Sequence, residues 1–134
     1  MRNRISMLTE AVAIGLVAFL TIHAGATGAK PEGNIVRVKM EGKKFVPDQI
    51  TIKPGDTIEW VNEPDGRKHQ VTTDPQQAMD ANNVSIPKDA KPFDSGVIKA
   101  GESYRYQFTV PGTYRYTCPP HEMSGMMGTV VVQP

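Results

Sequence analysis

Apolar and polar residues alternate along several short segments of the chain. Val36, Val38 and Met40 alternate with charged residues, and Ile50 and Ile52 alternate with polar ones. A period of two is typical of a β-strand that buries one face and exposes the other. In the same part of the chain, no long stripe follows the 3.6-residue period of an amphipathic helix. The pattern therefore predicts strands.

Nine segments show this alternation or form a short apolar run between turn-forming residues. They cover residues 35–40, the surroundings of 45–46, and 49–53, 57–62, 70–73, 95–98, 103–110, 113–118 and 129–132. Many short strands at close spacing predict an all-β fold, either a β-sandwich or a β-barrel.

Residues 103–110 and 113–118 flank a Pro111-Gly112 pair, which is typical of a turn. Because both segments alternate, we expect a hairpin with one apolar and one polar face. The apolar face has four tyrosines that we expect to pack in the core rather than to take part in redox chemistry: Tyr104, Tyr106, Tyr114 and Tyr116.

One polar stretch, residues 73–92, is too long to be a simple connection. It contains Asp74 as a helix N-cap residue, followed by Pro75 at the first helical position and Gln77 at the third. These residues predict a short helix over 74–82. No function for the stretch follows from its composition.

The first residues have the composition of an export signal. Arg2 and Arg4 precede a short apolar stretch, residues 11–20, and small residues follow up to Ala26. This order predicts a signal peptide over residues 1–26. An uncleaved membrane anchor is the alternative, but a membrane-spanning helix needs about 20 apolar residues and this stretch is shorter.

Removal of the signal peptide leaves residues 27–134, enough for one domain with a single core. It removes two of the 15 basic and one of the 14 acidic residues, so 13 of each remain and the net charge is zero. Neutrality argues against nucleic-acid binding and against membrane attachment through a basic surface. We therefore expect an exported, monomeric protein without stable membrane insertion.

The chain has one cysteine, Cys118, so an exported protein cannot form an internal disulfide. His121 follows three residues later, and His69 is the one remaining histidine because His23 lies in the predicted signal peptide. A thiolate and two imidazoles with a weak thioether are the ligands of a blue copper site, although cysteine and histidine also bind zinc. Three nearby methionines offer the thioether: Met123, Met126 and Met127.

Several motifs in this context resemble the small blue copper proteins, the cupredoxins, and most closely the plastocyanin, pseudoazurin and amicyanin group. The motifs are Phe93-Asp-Ser-Gly, Gly101-Glu-Ser-Tyr, Phe108-Thr-Val-Pro-Gly-Thr-Tyr114, Cys118-x-Pro-His121 and Gly125-Met126-Met-Gly128. The resemblance covers essentially all of residues 27–134. It implies a Greek-key β-sandwich of about seven to eight strands that holds one type 1 copper ion.

The resemblance also implies a role for each candidate ligand. His69, Cys118 and His121 would be the equatorial ligands and Met126 the axial one. Plastocyanin-like and pseudoazurin-like loops place four residues between the histidine and the methionine, as this chain does for His121 and Met126. Met123 would then line the apolar surface around the metal, as would Met127.

The chain departs from plastocyanin at two positions beside the ligands. Gln70 replaces an asparagine that braces the cysteine loop, so we expect a weaker brace. Thr117 replaces a tyrosine that belongs to a second electron exit, so we expect electrons to pass near His121. With Thr117 and Pro119 beside the cysteine and no third histidine after residue 26, a copper oxidase or nitrite reductase is not expected.

The implied function is transfer of single electrons between transient redox partners, in a bacterial periplasm or, alternatively, a thylakoid lumen. The competing function is an exported copper chaperone or storage protein, in which exposed methionines help to hold Cu(I). The sequence names three methionines for that role: Met79, Met123 and Met127.

Overall fold

The computed structural model describes residues 33–134. The predicted signal peptide, residues 1–26, lies outside these residues and stays a prediction. Within residues 33–134 no helix is both long and apolar enough to cross a membrane.

Within residues 33–134, seven strands form two mixed sheets. The first sheet contains, in spatial order, β2 (Lys44–Val46), β1 (Ile35–Glu41), β4 (Thr57–Asn62) and β5 (Ser103–Gln107). The second contains β3 (Gln49–Ile52), β7 (Met127–Val132) and β6 (Gly112–Thr117). β1 runs parallel to β4 and β3 runs parallel to β7, whereas the other neighbours are antiparallel. The predicted all-β sandwich is confirmed.

The core lies where the alternating apolar residues of the two sheets meet. Val38 and Met40 of β1 and Trp60 of β4 are fully buried in it, as are Tyr114 and Tyr116 of β6. The two tyrosines of β5 are half-buried and pack against the same cluster, so all four tyrosines contribute to packing as expected: Tyr104, Tyr106, Tyr114 and Tyr116.

The predicted hairpin between residues 103–110 and 113–118 is wrong. β5 pairs with β4 in the first sheet, whereas β6 pairs with β7 in the second. After Gln107, the amide of Phe108 donates to the carbonyl oxygen of Asp56, so this part of the chain stays with the first sheet. Gly112, at a φ of 136° that favours glycine, then starts the strand on the other sheet.

The strands predicted over 70–73 and 95–98 are reduced to isolated bridges, such as His69 with Ile98. Side chains take backbone donors that a continuous ladder would use: Ser95 Oγ accepts from the amide of Val71 at 2.8 Å, and Thr73 Oγ1 accepts from the amide of Phe93 at 2.9 Å. Such competition ends regular pairing.

The helix predicted over 74–82 does not form. Asp74 acts as a cap, since its Oδ1 accepts from the amide of Gln76, and its carbonyl oxygen accepts from the amide of Ala78. Only this single turn and a 3₁₀ helix at Ala81–Asn83 follow. The stretch is pinned to β6 by the bridge between Ser85 and Arg115.

Candidate metal centre

Cys118 directly follows β6, on the inward side shared by Tyr114 and Tyr116, and is fully buried. A 3₁₀ helix, Pro119–Ser124, starts immediately after it. The two prolines at the start of this helix fix the backbone for the turn and need no amide partners there. The amide of His121 donates to the carbonyl oxygen of Cys118, which turns the imidazole back toward the thiol.

The 118–126 loop is closed by its own backbone. The amide of Cys118 donates to the carbonyl oxygen of Met126, and the amide of Met126 donates to that of His121. Gly125 ends the 3₁₀ helix at a φ of 79°, a left-handed conformation that glycine adopts without strain. The loop therefore folds back so that Met126 returns to Cys118.

His69 reaches the same point from the segment between β4 and β5. Two backbone hydrogen bonds with Ile98 hold it, and its side chain is fully buried. Asn62, at the end of β4, donates from Nδ2 to the carbonyl oxygens of Arg67 and Ile98 and so closes the loop that leads to His69. The side chain of Gln70 bonds to Asp94 instead of bracing the loop.

The donor atoms of His69, Cys118 and His121 lie within 4.8 Å of one another. Cys118 Sγ is 3.7 Å from His69 Nδ1 and 3.5 Å from His121 Nδ1. Bonds of about 2.3 Å to sulfur and about 2.0 Å to nitrogen, meeting at a trigonal angle, would separate sulfur from nitrogen by about 3.7 Å. The three donors therefore fit one small metal ion between them.

The surroundings favour the neutral form of both imidazoles, which is the form that metal ligation requires. Burial is the main cause that lowers the pKa of His69 and of His121. Burial raises the pKa of the Cys118 thiol, while the backbone amides of Gln70 and His121 act in the opposite direction. A metal cation would displace the thiol proton, and these two amides already favour the thiolate.

Burial distinguishes the three methionines of this region. Met126 is fully buried beside the cluster, and its carbonyl oxygen accepts from the amide of Cys118 and from Thr117 Oγ1. Met123 is 89% exposed and Met127 is 36% exposed. Pro120, which precedes partly exposed His121 in the chain, is exposed as well.

Sequence reasoning missed two residues that support the site, Asn62 and Glu122. Glu122 is 6% exposed, and it accepts from the amides of Met79 and Asp80 and from Asn83 Nδ2. Burial opposes its ionisation, but these hydrogen bonds outweigh burial and hold the pKa of the carboxyl below its usual value. One feature of the sequence could have indicated it, since Glu122 is the one charged residue after Arg115.

Comparison with known proteins identifies the family of this chain. The sequence model of the copper binding proteins, plastocyanin/azurin family, matches residues 34–133. Plastocyanin from Scenedesmus fuscus is 37% identical over 89 residues, which cover 66% of this chain and 86% of that protein. Chloroplastic plastocyanin from Tetradesmus obliquus is 38% identical over 89 residues, covering 66% of this chain but 58% of that protein's length.

Solved structures agree with the sequence match. Amicyanin from Paracoccus versutus has a TM-score of 0.55 at 25% identity, covering 79% of this chain and 86% of that one. The copper-containing nitrite reductase from Thermus scotoductus has a TM-score of 0.61 at 31% identity, covering 81% of this chain and 25% of that one. The same family is indicated by the sequence match over residues 34–133, by the β-sandwich and by the three clustered donors. The chain belongs to the plastocyanin/azurin family of copper-binding proteins.

Proposed function

We propose that this protein is a soluble carrier of single electrons that holds one type 1 copper ion. His69, Cys118 and His121 would hold the ion, with Met126 as a fourth, weaker ligand. Copper would supply a centre that alternates between Cu(I) and Cu(II). The observation that supports this proposal most is the cluster of three neutral or thiol donors at ligand spacing.

The frame around the donors suits electron transfer, which requires ligands that move little when the metal changes charge. His69 is fixed by two backbone hydrogen bonds to Ile98, and Cys118 is fixed between β6 and the carbonyl oxygen of Met126. Both side chains are fully buried in the sandwich. Such packed interiors deform little, so the same ligand positions serve both oxidation states.

His121 is the proposed path for electrons. Of the three clustered donors it alone is partly exposed, and exposed Pro120 and Met123 lie beside it. A small apolar rim suits brief docking of a redox partner, because weak electron-transfer encounters bury little surface. Thr117 is fully buried and lacks the aromatic ring of the second exit expected in plastocyanins.

Catalysis is not part of the proposed function. The nitrite reductase that this chain resembles is about four times as long as the matched region, so the likeness covers one part of it. An enzyme of that kind passes electrons to a second metal, and among residues 33–134 the donors form a single cluster of three.

We also propose that the chain acts as an exported monomer in a periplasm, with a thylakoid lumen as the alternative compartment.

A copper chaperone or storage protein is the second candidate. The exposure of Met79 and Met123 favours it, since thioethers at the surface can meet Cu(I). However, a chaperone has to release its metal, and the burial of His69, Cys118 and Met126 opposes release. The electron carrier is therefore preferred.

The visible spectrum of the purified protein loaded with Cu(II) tests the proposal. We expect an intense blue thiolate-to-copper band that bleaches on reduction and returns on reoxidation. Cys118→Ser should abolish the band, because a hydroxyl group cannot supply the charge transfer. A colourless copper complex, irreversible bleaching or a preference for zinc would contradict an electron carrier.

A further inference from the structure

Glu122 is a buried carboxylate that joins two separate parts of the chain. Its Oε2 accepts from the amide of Met79 at 2.9 Å, and its Oε1 accepts from the amide of Asp80 at 3.0 Å and from Asn83 Nδ2 at 2.7 Å. Hydrogen bonds to an ionised carboxylate are the stronger class of protein hydrogen bonds. These hydrogen bonds therefore hold the 79–83 segment firmly against the 118–126 loop.

The 79–83 segment is ordered so as to present these donors. Asp80 Oδ1 accepts from the amide of Asn82 at 2.9 Å, and the carbonyl oxygen of Asp80 accepts from the amide of Asn83 at 3.0 Å. These bonds form the 3₁₀ helix Ala81–Asn83 and leave two consecutive amides free to point at Glu122. The sequence indicated no function for the polar stretch 73–92. In the structure, its residues 79–83 bind the side chain of Glu122.

On the other side, Glu122 belongs to the 3₁₀ helix that positions His121. The carbonyl oxygen of Glu122 accepts from the amide of Gly125, and that of His121 accepts from the amide of Met126. Glu122 therefore lies within the short backbone turn that connects His121 to Met126.

We propose that Glu122 is a positioning residue for the copper centre, which fastens the turn bearing His121 to the 79–83 segment as an external brace. The brace limits movement of His121, the one donor that is not enclosed by the sandwich. This inference rests on the proposed copper ligation, but none of the groups that bond to the Glu122 carboxylate is a proposed copper ligand. The two can therefore be tested separately.

The first experiment measures amide hydrogen exchange in the metal-free protein and in Glu122→Gln. The variant replaces one carboxylate oxygen, which accepts hydrogen bonds, by an NH2 group, which can only donate them. Hydrogen exchange of the backbone amides of Met79 and Asp80 should therefore become at least about tenfold faster. Glu102→Gln is the matched control, because Glu102 also accepts a backbone amide, that of Lys99, but in an exposed turn. Unchanged exchange in Glu122→Gln would overturn the brace.

The second experiment measures the electron self-exchange rate and the electron paramagnetic resonance spectrum of the copper-loaded proteins. Glu122→Gln should slow self-exchange and change the copper hyperfine splitting, whereas Glu102→Gln should alter neither. Asn83→Ala removes one donor without touching the loop, and it should produce a smaller change in the same direction. This variant also keeps the test valid if Glu122→Gln fails to fold.

The outcomes distinguish the two proposals. A blue wild-type protein whose Glu122→Gln and Asn83→Ala variants have unaltered spectra and self-exchange rates would overturn the positioning role and leave the electron carrier intact. A wild-type protein without a blue band would overturn the electron carrier, and the exchange measurement would still decide whether the brace exists.

Discussion

At the scale of single residues, burial decides which methionine can face the clustered donors. A thioether must be enclosed with Cys118 to act as a weak axial ligand, and Met126 is buried there while Met123 points to solvent. The spacing argument from the sequence and the burial in the structure favour the same residue, although the axial role itself stays a prediction.

Met126→Gln should keep the blue colour but lower the reduction potential. The amide oxygen is a harder ligand than a thioether, so it stabilises Cu(II) relative to Cu(I). Voltammetry of the purified variant measures the shift. Met123→Gln is the control and should leave the potential unchanged, so an equal shift in both variants would argue against Met126 as the axial ligand.

Gly128 of β7 should not tolerate a side chain. A Cβ atom there would lie 2.2 Å from Cζ of Tyr116, a ring that is itself fixed in the core. Gly128→Ala should therefore lower the free energy of unfolding by about 1–3 kcal/mol through overpacking. Urea unfolding measures this, with Thr129→Ala as the neighbouring control. Equal stability of Gly128→Ala and the wild type would mean that the Tyr116 ring can move aside.

At the scale of elements, one buried carboxylate joins three strands of the first sheet. Glu59 of β4 accepts from Arg37 of β1 at 2.7 Å and from Arg105 of β5 at 2.8 Å. Its side chain is 7% exposed, whereas both arginines are largely exposed. Both salt bridges therefore require that the carboxyl group of Glu59 is ionised.

This contact should make stability fall in acid. Hydrogen bonds from Arg37 and then from Arg105 hold the pKa of Glu59 below its ordinary value of 4.5. The stabilisation is thus complete above that pH and is lost as the pH falls through the lower pKa of the folded protein. Glu59→Gln should cost about 1 kcal/mol at neutral pH and progressively less in acid. Urea unfolding at several pH values tests this, and a cost that is independent of pH would contradict it.

Strand positions could be predicted from the sequence because alternation is a local property. The bounds of β4 agree with the prediction, and β1, β3 and β7 differ from it by a few residues. Pairing is not local: Pro111-Gly112 is equally compatible with a hairpin and with a crossing between sheets. The hydrogen bonds of Phe108 to the first sheet and the pairing of Gly112 with Val132 in the second show that the chain crosses between the sheets.

The donor set could also be predicted, since Cys118, His69 and His121 are scarce residue types in this chain. The supporting residues could not. Asn62 and Glu122 are of common types, and their roles depend on contacts with residues 36 and 43 positions away in the chain. Such contacts exist only after the sheets have packed, so the sequence can single out Glu122 as an isolated charged residue but cannot identify its partners.

At the scale of the whole molecule, backbone hydrogen bonds of the sandwich hold two of the donors in place. His69 is held through Ile98, and Cys118 through Met126, by hydrogen bonds of the backbone. The core cluster that surrounds them includes Trp60 and both buried tyrosines of β6. We therefore expect the metal-free protein to be folded.

Copper should then raise the thermal stability of a protein that is already folded. A ligand that binds only the native state stabilises it by about 2.7 kcal/mol when its free concentration is 100 times the dissociation constant. For a domain of this size that corresponds to a rise in the melting temperature of about 10–20 °C. Cys118→Ser, which lacks the thiolate, should show a much smaller rise. Near-ultraviolet circular dichroism, which reports the environment of Trp60, follows both transitions. A metal-free protein without a cooperative transition would mean that copper, and not the packing of the two sheets, organises the centre.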